Sequence, residues 1–181
     1  MYKYNYKRIH VFIRNKNYKN KNYIPCIIYN KNTNISCYIS LYEVNKIINN
    51  KLYIIFLIIN KKKRIISLIK DIQFDIFKKK VLHIDFYKII KNYPFKSYIN
   101  IKTIGNSIGV LKGAYCNIIL KKIKILTILK YYLKEIIFNI TKLDIGDKIL
   151  IKDIKNKNIK ILHKKNKIIL IIKMKKINKE V

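Results

Sequence analysis

The stretch Ile35-Ser36-Cys37-Tyr38-Ile39-Ser40-Leu41 alternates apolar and polar residues without a break. Ile35, Cys37, Ile39 and Leu41 fall on one side, and Ser36, Tyr38 and Ser40 on the other. A period of two marks a half-buried strand, because successive Cβ atoms point to opposite faces of a sheet. Before it, Asn30 to Asn34 supply turn chemistry, and Cys26-Ile-Ile-Tyr29 after Pro25 reads as a short strand. After it, Val44, Ile47 and Ile48 stand at helical spacing within Tyr42 to Asn50, with Glu43 in the first turn. Leu52 to Ile59 is continuously apolar and suits a buried strand. Asn60 to Lys63 then make a hairpin turn, from which Arg64 to Ile69 pairs back. A second alternating stretch follows at 80–87. Leu82, Ile84 and Phe86 are expected on one face, and Val81, His83, Asp85 and Tyr87 on the other.

Residues 2–13 mix Tyr, Ile, Val and Phe with basic residues and suit a first strand. Residues 88–97, around Pro94, read as a linker. Beyond it, strands are expected at 98–104, 117–128, 134–140, 148–152, 159–163 and 168–173, with turns at Asp144–Asp147 and Lys164–Lys167. Many short strands and few long amphipathic segments predict a mainly β chain of the α+β kind. The expected plan is an N-terminal β-barrel domain with short helices over 1–90, a second β-rich domain over 91–175 and a basic tail over 176–181.

The 181 residues hold 44 Ile, 38 Lys, 21 Asn and 15 Tyr, but one Ala and three Arg. The four abundant residues share A/T-only codons, so the composition points to an A/T-biased genome, as in an endosymbiotic bacterium or an organelle. The formal charge is +32. Part of that charge reflects mutation, yet such a field draws polyanions, and nucleic acid is the default partner. Apolar content of 50% is too high for a disordered basic tail. No apolar run approaches the ~20 residues that span a bilayer, and the N-terminus lacks the apolar stretch of a secretory signal. A cytoplasmic protein with no membrane association is therefore expected.

Residues that resist the bias carry information. Gly105, Gly109 and Gly113 cluster, and with Gly146 they are the chain's four glycines. They are expected at turns that other residues fit poorly.

Catalytic and metal chemistry is thinly supported. Cys26, Cys37, Cys116 and the three histidines show no close ligand spacing, so no metal and no cofactor is expected. Cys37 lies on the apolar side of its strand, as a core thiol would. Gly105-Asn-Ser-Ile-Gly109 matches the GxSxG pattern, but no helical pattern follows Ser107 and nothing orients His163 as its base. The match is read as chance, and no small-molecule substrate is expected. His83 and Asp85 share a strand face, about 6.6 Å apart along the chain. Beside lysines that position phosphates, such a pair can read donors on base or sugar edges. Arg14, Lys16, Lys19 and Lys21, interleaved with Tyr18 and Tyr23, suit a backbone clamp with stacking groups.

Several ordered blocks resemble one family. Tyr23-Ile-Pro-Cys-Ile-Ile-Tyr29, Lys70-Asp-Ile-Gln73 and Val81-Leu-His-Ile-Asp-Phe86 are similar, in order and spacing, to motifs of bacterial large-subunit ribosomal protein twenty-five, the CTC family. Gly105-Asn-Ser-Ile-Gly-Val-Leu-Lys-Gly113, Leu143-Asp-Ile-Gly-Asp147 and Ile151-Lys-Asp-Ile154 resemble motifs of its longer, two-domain members. The resemblance covers roughly 10–175. It implies a structural protein, not an enzyme, that binds 5S rRNA at a non-Watson–Crick internal loop and contacts other large-subunit rRNA and neighbouring ribosomal proteins. Position by position, it implies RNA contacts from Asn15, Lys16, Lys19, Tyr29, Lys70, His83 and Asp85. The family's glycine- and arginine-rich loop is here Phe12-Ile-Arg-Asn-Lys-Asn-Tyr-Lys19, without its glycines and with Asn17 in place of an arginine. The glycine expected after Tyr29 is Asn30, which tolerates positive φ. The rival expectation is a basic RNA-binding or stress protein acting off the ribosome.

Overall fold

The computed structural model describes residues 6–14, 22–49, 53–60, 63–77 and 80–174. Six strands, β1 (Arg8–Ile13), β2 (Tyr23–Asn30), β3 (Thr33–Ser40), β4 (Ile54–Ile59), β5 (Lys63–Phe74) and β6 (Val81–Lys88), close into a barrel in the order β1-β3-β2-β6-β5-β4. The parallel pairing of β1 with β4, Ile9 beside Leu57 and Val11 beside Ile59, closes the ring and removes its free edges. Alternate residues turn inward. Ile9, Val11, Ile28, Cys37, Ile39, Ile55, Leu57, Ile84 and Phe86 are all buried in one cluster. Each such aliphatic side chain contributes about 1.5–3 kcal/mol on burial. Isoleucine fills nine of the fifteen buried positions of that described core, and its branched Cβ suits a pleated surface. Cys26 and Cys37 are cross-strand partners in the core, and burial pushes the Cys37 thiol up to about 11.

Helix α1 (Leu41–Asn49) begins where the strand was expected to continue. Leu41 is exposed rather than inward, because Ser40 ends β3 and its hydroxyl accepts the Glu43 N–H at 3.4 Å. Ser40 and Glu43 stand at the spacing of a helix-start box. Val44 and Ile47 of α1 then join the barrel core.

Strand β5 is twice the expected length, because it pairs with β4 over Lys63–Leu68 and with β6 over Ser67–Phe74, and the second ladder holds two bulges. Ile69 opposes Phe86 while Asp71 opposes Asp85, so Lys70 is an extra residue in β5. Gln73 opposes His83 while Phe74 opposes Val81, so Leu82 is extra in β6. A bulge changes which face the following residues take. The expected alternation of β6 therefore fails at its start: Leu82 is half exposed, and Val81 packs against the core. From Ile84 onward the alternation holds. Asn30 ends β2 without positive φ; among the described non-glycine residues, Asn60 holds that conformation, at φ 46°.

The chain divides into two compact units, up to Lys91 and from Asn92. The second holds a four-stranded sheet and a three-stranded sheet. The four strands lie in the order β10 (Glu135–Asn139), β7 (Phe95–Ile104), β9 (Lys122–Thr127) and β12 (Lys160–Ile161); the three are β11 (Lys148–Leu150), β13 (Ile168–Lys173) and β8 (Tyr115–Ile118). The single strand expected at 117–128 is two, because the chain leaves the β13 partner after Ile118 and joins β7 from Lys122. β7 starts at Phe95, within the expected linker, and Phe95 is buried.

A one-turn helix, α2 (Ile108–Leu111), follows Ser107, where the sequence shows no helical pattern. Ser107 is fully buried and caps the turn by accepting the Val110 N–H at 3.1 Å. Gly113, at φ 93°, ends it in the left-handed conformation that suits glycine. Gly109 serves a different need. A Cβ there would stand 2.6 Å from Ile172 Cγ2 and 2.9 Å from the Ile145 backbone nitrogen. Gly109→Ala is expected to lower stability by about 1–3 kcal/mol through this crowding, as measured by denaturant unfolding of the full chain.

Candidate nucleic-acid interface

Strand β6 carries His83, Asp85 and Tyr87 on the outer wall of the barrel, between β2 and β5. Parallel register sets Ile27 beside Asp85 and Tyr29 beside Tyr87. Antiparallel register sets Asp71 beside Asp85 and Gln73 beside His83. The two bulges make this possible. Upstream of Lys70 the odd-numbered residues Ile65 and Ile69 face the core; downstream, Ile72 does so opposite Ile84. The phase change at Lys70 turns Asp71 and Gln73 outward, next to the acidic and imidazole groups of β6.

The His83 Nδ1 lies 2.8 Å from Asp85 Oδ1, and both side chains are 29% exposed. The contact orients the imidazole and sets Nδ1 as the nitrogen facing the carboxylate, leaving Nε2 as the one a ligand would meet. Tyr29 and Tyr87 meet edge to face with ring centroids 5.8 Å apart. Burial, and then the neighbouring Asp85, Tyr87 and Asp71, push the Tyr29 phenol above its ordinary value of 10.0. It therefore stays protonated at neutral pH, able both to donate and to accept a hydrogen bond.

Two carboxylates directly opposite each other cost free energy. Phosphates cannot relieve that cost, because they are anionic too. Groups that donate hydrogen bonds can: exocyclic amines and ribose hydroxyls. The strip thus carries acceptors where the rest of this basic chain offers cations. Further round the wall, Phe12 stacks on Tyr38 at 5.4 Å and Tyr23 meets Tyr38 at 4.9 Å. These rings flank the two ends of the segment that joins β1 to β2.

Of the expected contact residues, Tyr29, His83 and Asp85 come together on this wall, and Lys70 is exposed at its bulge. Asn15, Lys16 and Lys19 lie outside the described residues, as do Tyr18 and Lys21. The sequence pattern does not single out Asp71, Gln73 and Tyr87 as site residues. Asp71 and Gln73 belong to the Lys70–Gln73 block, and membership of that block is the signal in the sequence that points to them.

Comparison with known proteins agrees with this architecture. Residues 9–86 match the model of the Ribosomal L25p family, and residues 94–176 match that of the C-terminal domain of ribosomal protein TL5. The large ribosomal subunit protein bL25 of Azobacteroides pseudotrichonymphae is 24% identical over 161 residues, spanning 88% of this chain and 85% of that protein. The bL25 of Bacteroides fragilis is 22% identical over 159 residues, spanning 88% and 81%. The bL25 of Borreliella burgdorferi is 33% identical over 86 residues, about half of each chain. These matches define a ribosomal protein, not an enzyme. The chain belongs to the bL25 family, in its two-domain form.

The residues of the GxSxG match have structural roles. Ser107 is buried as the cap of α2, and His163 Nε2 accepts the Lys124 N–H at 3.1 Å. Ser107→Ala is expected to lower stability by about 1 kcal/mol, the usual contribution of such a cap, again by denaturant unfolding. Burial, and then Lys167 and Lys124, hold the His163 imidazole below its ordinary 6.5. Its stabilising contribution is therefore complete above about 6.5 and declines as pH falls from there toward the lowered folded-state value. The difference in melting temperature between the parent chain and His163→Gln should shrink as pH drops through that window.

Proposed function

We propose that the chain is a structural constituent of the large ribosomal subunit that binds 5S rRNA through the outer wall of its first barrel. The coarser part of this reading rests on family membership and on relatives named as large-subunit proteins. The observation that supports the finer part is the His83–Asp85 pair, set by two bulges beside Asp71, Gln73 and Tyr29.

Regular A-form RNA presents a deep, narrow major groove that side chains cannot read and a shallow minor groove of hydroxyls and base edges. A non-Watson–Crick internal loop widens or distorts these surfaces, so amines and hydroxyls come within reach of a strand face. His83 and Asp85 supply selectivity, with Asp71 and Gln73 as neighbouring acceptors. Tyr29 contributes a hydroxyl that hydrogen-bonds at the sugar edge. Lys16, Lys19 and Lys70 neutralise phosphates, with Asn15 as a small polar contact, and bring strong salt dependence. The protein works in the cytoplasm, on the ribosome, and the second unit meets further rRNA or neighbouring proteins.

The test is binding to a 5S rRNA transcript at about 0.15–0.2 M salt, where non-specific electrostatics are weakened. The control transcript has its internal loop replaced by Watson–Crick pairs. We expect at least a tenfold preference for the native loop, lost in His83→Ala or Asp85→Ala while both variants keep the parent melting behaviour. Equal affinity for the two transcripts would reduce the barrel to a general polyanion binder. Failure to co-sediment with large subunits would move its role off the ribosome.

A further inference from the structure

The four-stranded sheet of the second unit has two unlike faces. On one, Phe95, Ile99, Ile123 and Ile125 are 3% exposed or less. On the other, Tyr98 is 46% exposed at the middle of β7. Its cross-strand partner on β9 is Lys124. Lys96 stands beside Leu126, and Leu126 beside Lys160 of β12. Asn100 stands beside Lys122. Side chains two residues apart on a strand share a face, so Tyr98 lies among lysines on its own strand and on the strands across from it.

The backbone under Tyr98 is anchored. Its carbonyl accepts the Tyr132 hydroxyl at 3.4 Å, and the buried Tyr132 ring packs near Phe95 at 6.1 Å. The acid described on this face, Glu135 of β10, stands 2.6 Å from Lys102 and bounds the cationic area on the β10 side.

A protein partner would bury an apolar centre, and the middle of this patch offers one aromatic ring and a half-buried leucine among cations. A flat, exposed ring with cations on neighbouring strands fits a nucleobase better: every base has a π face, and its backbone brings the anions. A duplex hides those faces inside its stack, so the fitting form is an unpaired strand. We propose that the β7–β9–β12 face of the second unit binds single-stranded RNA, stacking a base on Tyr98 while Lys96 and Lys124 meet flanking phosphates.

The test uses the full chain and a fluorescein-labelled twelve-nucleotide oligouridylate at about 0.15 M salt. Tyr98→Ala leaves the charge unchanged, so a loss of affinity reports stacking. We expect Tyr98→Ala to bind roughly fivefold more weakly or worse, and Tyr98→Phe to stay within about twofold of the parent. An abasic strand of the same length should bind parent and Tyr98→Ala alike. The pair Lys96→Ala with Lys124→Ala should flatten the log–log salt dependence by about 1.4, since each single-strand phosphate left without its lysine removes about 0.7 from the slope. Tyr98→Ala binding of the oligouridylate within twofold of the parent overturns the proposal, and so does an equal loss on the abasic strand. Should Tyr98→Ala fail to fold, an unchanged salt slope in the lysine pair overturns it. The 5S internal-loop preference should be indifferent to Tyr98→Ala, and oligouridylate affinity indifferent to His83→Ala, so either reading can fail without the other.

Discussion

Side chains along a strand change face at every residue, so one extra residue exchanges core for surface in all that follow. The barrel uses that constraint twice. Lys70 in β5 and Leu82 in β6 are unpaired insertions on either side of the same short ladder. Between them, Ile72 and Ile84 oppose each other toward the core, while Asp71, Gln73, His83 and Asp85 come out together. Without the Lys70 insertion, the inward phase of Ile65 and Ile69 would carry Asp71 and Gln73 into an apolar interior. There, unpaired carboxylate and amide groups are costly. Core and polar strip therefore stand or fall on the same two residues.

The strip also shows how a highly cationic chain can retain selectivity. Lysines are abundant enough to hold any polyanion, but they discriminate little between sequences. Acceptors add discrimination by reading amines on base edges, and acids are scarce here: nine in the whole chain. Two of them meet on one wall as direct cross-strand partners. In the second unit the balance differs. Asp144 and Asp147 serve a turn, accepting the Ile145 and Asp144 N–H groups, and Asp153 accepts that of Leu150. The cationic sheet face around Tyr98 is left with stacking and charge as its means of recognition.

Much of the barrel is legible in period-two alternation, clearest at Ile35–Ile39 and from Ile84 onward, because one face of each strand is buried. His83 and Asp85 are readable as a same-face pair for the same reason. The elements that escape reading depend on partners rather than on local pattern. The Lys70 bulge looks locally like a charged residue ending a strand. The switch of sheets between Ile118 and Lys122 passes through Ile119-Leu120-Lys121, with no glycine or proline to mark it. With four glycines and two prolines in 181 residues, little such punctuation is present anywhere in the sequence. Asp71 is hidden because its direction depends on the bulge before it, and α2 because a single turn held by Ser107 has no periodicity to detect. The Ser40–Glu43 helix start is written in the sequence, but the alternation running into Leu41 masks it.

The isoleucine-rich core has a consequence for how the chain finds its pairing. When most inward positions present the same shape, a strand shifted by two residues buries a similar volume, and packing alone discriminates poorly between the alternatives. The distinguishing marks must be the exceptions. Phe86 is one such mark at the centre of the barrel, fully buried among smaller neighbours, and Ser67 is another, a hydroxyl at 0% exposure. The paired thiols of Cys26 and Cys37 and the two bulges complete the set. In such a chain, odd residues work as addresses written on uniform stationery.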